Sequence, residues 1–133
     1  MTTIEFDATK KLIFLDAGII SIDGSEIFYV PVVMDTGATV TILSPDLLVN
    51  LGYDPASPNL PRIRMITGSG VEYAPCLIVS GLVVGEERVN NIEILCHDLP
   101  VEAGIDGLLG MNFLNKFDVI VEHSSSQFHL KPI

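Results

Sequence analysis

The 133-residue chain is short of cysteine, of basic side chains and of long apolar runs. Its two cysteines, Cys76 and Cys96, have no close spacing, which excludes a disulfide scaffold or a zinc knuckle. Seven Lys and Arg stand against 17 Asp and Glu, a formal net charge of -10. A surface this acidic repels phosphate backbones and anionic lipid, so nucleic acid and membrane surfaces are not expected partners. Crossing a bilayer takes ~20 apolar residues. Leu12–Leu15 is stopped by Asp16, and Cys76–Gly85 is broken by Ser80 and Gly81. The opening MTTIEFDATKK has no apolar signal-peptide core. The expectation is a soluble, cytoplasmic protein, or a domain cut from a larger one.

Charged residues are also scarce, 18% against 48% apolar, which excludes a disordered chain. The length fits one domain, residues 1–133, able to bury a sizeable core. What fills it is a series of short β-branched runs separated by Gly, Asp and Asn. Strands are expected at Leu12–Leu15, Gly18–Ile22, Glu26–Met34, Thr39–Leu43, Val71–Val79, Leu82–Val84, Arg88–Cys96, Phe117–Glu122 and Phe128–Leu130. Such spacing argues for an all-β barrel or sandwich. Two short helices interrupt it. The first lies between Ser44, a good N-cap followed by Pro45, and Gly52 as its stop. The second is a turn or two at Met111–Lys116. The Pro-rich Asp54–Pro61 reads as a loop.

The stretch that carries chemistry is Val32 to Leu43, where an acid, Asp35, ends an apolar strand. A small hydroxyl residue, Thr36, and Gly37 follow, and a second apolar strand begins. Gly37 lets the chain reverse beside the carboxylate with no Cβ in the way. The turn exposes backbone N–H groups that can fix the plane of the carboxylate. Thr36 offers a hydroxyl close to the backbone for bracing a neighbouring loop.

Here the sequence resembles the retropepsin-like aspartic proteases. Asp35-Thr36-Gly37-Ala38 is similar to the family's catalytic turn. Gly107-Leu108-Leu109-Gly110-Met111-Asn112-Phe113-Leu114 is similar to its loop and short helix beneath the active site. Ile66-Thr67-Gly68-Ser69-Gly70 lies where the family carries a mobile flap. The resemblance runs from about Val30 to Glu122. It implies a closed acid-protease barrel with one or two short helices, acting as a peptide hydrolase on polypeptide substrates. In that reading Asp35 is the catalytic general acid/base, and Thr36, Gly37 and Ala38 support the turn. Thr67, Gly68, Ser69 and Gly70 form the flap that grips substrate. Neither cofactor nor metal is implied. The chain has extra residues before Asp35, and Ser69 stands near the flap tip, where retroviral enzymes carry an apolar residue.

This chemistry needs two carboxyl groups sharing one proton, and only one Asp-Thr-Gly is present. The family's solution is a homodimer, Asp35 meeting its mate on the two-fold axis. Asp106 is the only intrachain alternative weighed; no hydroxyl residue and glycine repeat the turn after it, and it reads as a cap on the loop before the short helix. The alternating Gln127–Ile133 is either a strand that interleaves with a second copy or an edge strand of one chain. A catalytically silent peptide-binding or dimerisation module, and a domain serving only self-cleavage, are the competing functions. His97-Asp98 reads as a turn at a strand end. His123 and His129, six apart across a hairpin, lack a third metal ligand of the usual spacing. Cys76 and Cys96 read as buried thiols.

Overall fold

Period-two alternation is clearest at the C-terminus, where Phe128 and Leu130 are fully buried while Gln127 and His129 are partly exposed. The computed structural model describes residues 1–133, the side chain of Val101 excepted. Ten strands account for most of the chain. They are β1 (Thr2–Glu5), β2 (Phe14–Ile20), β3 (Ile27–Met34), β4 (Thr41–Leu43), β5 (Arg62–Thr67), β6 (Gly70–Val84), β7 (Glu87–Cys96), β8 (Gly107–Leu109), β9 (Phe117–Glu122) and β10 (Gln127–Pro132). Two short helices, α1 (Pro45–Asn50) and α2 (Met111–Leu114), and a 3-10 turn at Val101–Ala103 complete it.

The order β2-β3-β8-β4-β7-β6 closes on itself because Gly18 and Ile19 of β2 pair with Val83 and Leu82 of β6. The result is a closed barrel of six strands, with β5 attached to β6 alone. Closure leaves no free edge within the ring, and its interior fills with Ile19, Val32, Leu43, Val79, Ile94 and Leu109, each at most 1% exposed. A second sheet, β1-β10-β9, packs Phe128 and Leu130 into the same core.

Several sequence expectations change here. The two pieces Leu12–Leu15 and Gly18–Ile22 are one strand, β2. Val71–Val79 and Leu82–Val84 are likewise one strand, β6. It stays continuous through Ser80 because the Tyr53 hydroxyl takes over there: it accepts from the Ser80 N–H at 2.8 Å and donates to the Ile20 carbonyl at 2.8 Å. Ser44 occupies the N-cap position of α1 but its side chain makes no capping bond. Gly52 follows at φ +90°, the left-handed stop. The expectation of an edge strand at the C-terminus is corrected: β10 lies between β1 and β9, paired with both over Gln127–Leu130. β1, β5 and β8 had no strand assignment from sequence.

Candidate functional site

The site is built around β8. This three-residue strand runs parallel to β3 and antiparallel to β4, so it lies between the two strands joined by the Asp35 turn. Asp35 leaves the end of β3, and its N–H donates to the Leu109 carbonyl at 2.9 Å. The Gly37 N–H donates to Asp35 Oδ1 at 2.9 Å. A Cβ on residue 37 would lie 3.1 Å from that same oxygen, so glycine keeps the carboxylate both oriented and uncrowded. The Ala38 N–H closes the turn on the Asp35 carbonyl at 3.2 Å. Asp35 and Ala38 are half-buried, while Thr36 and Gly37 are exposed.

The chain after β8 clamps this turn from below. Met111 N–H donates to the Ala38 carbonyl at 2.7 Å, and Asn112 N–H to the Thr39 carbonyl at 3.1 Å. Gly110 passes so close that a Cβ there would meet Ala38 O, Val40 C and Thr41 N, each at 2.8 Å. All three are backbone atoms, which have no rotamer to move to, so only glycine fits.

Two residues central to this clamp were not singled out from the sequence. Thr41 is 1% exposed, and its N–H and hydroxyl both donate to Asn112 Oδ1 at 2.9 Å. The Thr41 oxygen accepts from the Gly110 N–H at 3.0 Å, and Asn112 Nδ2 donates to the Glu93 carbonyl at 2.6 Å. Buried polar groups are costly unless paired, and here each finds a partner. Thr41 and Asn112 lie 71 positions apart, so no local spacing signals them.

Above the turn lies a cleft of about 580 Å³. Asp35, Gly37 and Ala38 line one side, with Leu108 and Leu95 from the barrel. β5 supplies the other side, Ile63 to Thr67. β5 and β6 form a hairpin in the register Ile63↔Ala74, Met65↔Glu72 and Thr67↔Gly70. Gly68 and Ser69 are its tip, with Gly70 at φ +125°. Of the four residues expected to form the flap, Thr67 lines the cleft; Gly68, Ser69 and Gly70 do not. The hairpin arm β5 does so instead.

The remaining candidates separate from Asp35 or find other partners. Asp106 sits at the far end of β8, its N–H on the Pro31 carbonyl and its own carbonyl accepting from Ser44 N–H. That places it level with Pro31, four residues or ~13 Å along the strand from Asp35. It precedes a strand, not the short helix it was expected to cap. His97 meets the Asp98 backbone carbonyl at 2.7 Å, not the carboxylate, and its Nε2 meets Glu72 Oε2 at 2.8 Å. His129 binds Thr3 and Glu122, whereas His123 stacks edge-on to Phe6. Cys76 and Cys96 are buried free thiols, and burial, with Glu93 near the first and Asp98 near the second, pushes both above the usual thiol range. Among the described residues no three His, Cys, Asp or Glu side chains gather as a metal site.

The described helices are too short and too polar to cross a membrane. Comparison with curated proteins finds no match. Among solved structures the chain is similar to a retropepsin-like aspartic protease from Rickettsia conorii, with 21% identity and a TM-score of 0.68. That likeness covers 96% of this chain and 86% of the other, and it concerns the fold. A family model described as aspartyl protease matches residues 20–113, a span that includes the Asp35 turn, the hairpin and the clamp. The chain has the retropepsin-like fold and belongs to the aspartyl protease family.

Proposed function

We propose that residues 1–133 act as one domain, an aspartic endopeptidase whose catalytic pair is Asp35 from each of two copies of the chain. The observation that carries this is Asp35 itself. It is the only carboxylate lining the cleft among the described residues, on a turn whose Gly37 amide fixes one of its oxygens. A single carboxylate cannot hold and release the shared proton, and Asp106 lies too far along β8 to help. The faces of Thr36 and Gly37 are exposed beside Asp35, which leaves the turn open to its two-fold mate.

In the paired site one carboxyl is ionised and takes a proton from the attacking water. The other is protonated and donates to the peptide carbonyl oxygen. Two like charges a few Å apart resist joint ionisation, so the pair titrates as a unit. Thr36 braces the two turns against each other, and Ala38 forms the base of the cleft. The hairpin around Thr67, Gly68, Ser69 and Gly70 closes over bound polypeptide and excludes water. No metal or cofactor enters this chemistry. We place the protein in the cytoplasm, consistent with its free buried thiols.

The test is hydrolysis of a denatured protein library by wild type and Asp35→Asn across pH. Asn keeps the size of the side chain and loses the shuttled proton, so the expected loss is about 10³-fold with the fold intact by circular dichroism. Wild-type activity should follow a bell on the acid side of neutrality. An unchanged rate in Asp35→Asn, or a rate still climbing above about pH 8, overturns the assignment.

A further inference from the structure

The flap of the proposed enzyme is tied to the barrel by one side-chain bridge among the described residues. Its other polar bonds run within the hairpin: Thr67 to Ser69 and to the Gly70 carbonyl, and the β5–β6 ladder. Glu72 lies on β6 two residues past Gly70 and opposite Met65, whose side chain packs on the floor cluster of Ile42, Cys76 and Leu95. Across from it, His97 stands at the end of β7. Its N–H donates to the Leu43 carbonyl at 3.2 Å, which mounts the ring on β4, the strand that leaves the Asp35 turn.

Both ring nitrogens of His97 face oxygens that accept. Nε2 is 2.8 Å from Glu72 Oε2 and Nδ1 is 2.7 Å from the Asp98 carbonyl. A neutral imidazole has one N–H and can satisfy one of them; the imidazolium donates to both. His97 also lines the cleft that holds Asp35, so the bridge joins the catalytic floor to the flap arm.

We propose that the Glu72–His97 bridge is a latch that holds the flap hairpin down on the cleft, making the two side chains positioning residues for flap closure. The proposal rests on the reading of the hairpin as a flap. The charged groups around the ring are Glu72 from β6, Asp98 just past β7, Arg64 from β5 and Asp35 from the turn after β3, the last two lining the same cleft. Burial disfavours the charged ring, but the Asp98 carbonyl, the Glu72 hydrogen bond and the charges of Glu72 and Asp98 outweigh it, so His97 titrates above its ordinary 6.5. A group whose pKa is raised in the latched state contributes fully below the ordinary value. That contribution is lost as pH rises through the raised one. The latch therefore holds in mild acid, where a carboxyl pair works, and loosens in mild base.

The test uses methyl-labelled methionine in the full chain and follows Met65 by NMR. Between about pH 6 and about pH 8 the ratio of closed to open flap should fall about fivefold, a change sized for a half-exposed charge-assisted bond. The Met65 midpoint should coincide with that of the His97 ring, while Met111 on the floor stays put. Glu72→Gln, at a side chain 47% exposed and so tolerant of the change, should leave Met65 in the open position at both pH values. A Met65 signal insensitive to pH in wild type, or equally sensitive in Glu72→Gln, overturns the latch. The readout needs no turnover, so failure of the latch is distinct from failure of Asp35 as the catalytic acid.

Discussion

Around Asp35 the chain is held by bonds that cross between distant segments: β8 against β3, Met111 against Ala38, Asn112 against Thr41. Around Thr67–Gly70 the bonds stay inside one hairpin, and Ile66 is 80% exposed. The first region is a floor with buried, fully paired polar groups. The second is an arm that meets the floor through Met65 and one side-chain bridge. A dyad needs its carboxylates held to a fraction of an ångström, and a lid needs to move to admit polypeptide. The contrast teaches where this sequence spends its constraints: glycines that admit no Cβ lie in the floor, and glycines with open space around them lie at the hairpin tip.

The sharpest way to break the comparison is to add one methyl group to each region. Gly110→Ala drives a Cβ into backbone at 2.8 Å on three sides, and a loss of about 3 kcal/mol is expected from overpacking where nothing can give. Denaturant melts measure this, and activity should fall with it because the turn shifts. Asn112→Ala removes the acceptor for both Thr41 donors and should cost about 2 kcal/mol, the penalty for stranding buried polar groups. Its kcat should drop even where the protein remains folded. At the other extreme, a Cβ on Gly68 meets nothing within 4 Å. Gly68→Ala should change stability by less than ~0.5 kcal/mol in the same melts. Equal costs at Gly110 and Gly68 would erase the distinction between floor and flap.

How much of this could be read from sequence follows the same division. The Asp35 turn was legible because acid, hydroxyl and glycine are contiguous between two apolar runs. The segment Gly107–Leu114 was legible as a motif, yet β8 within it was not, since three residues make no periodic pattern. The Thr41–Asn112 pairing was hidden because it forms only when β8 slots between β3 and β4. In β5, Arg-Ile-Arg-Met does alternate, but its apolar members face a cleft rather than the core, and Arg62 and Arg64 on the other face are exposed. Breaks read at Ser80 and Gly81 were overridden by the Tyr53 hydroxyl, a tertiary contact 27 residues away. His97 looked like an ordinary strand end; only the folded register brings Glu72 to its ring.

The central claim is that one chain supplies half a site. Wild type is mixed with an equal amount of Asp35→Asn under conditions in which subunit exchange is demonstrated by mass-tagged copies. Random pairing leaves about one quarter of dimers fully wild type, and mixed dimers carry one carboxyl, so activity per wild-type chain should fall to about half. Activity per wild-type chain that stays constant through complete exchange would contradict the account and place a complete site within a single copy.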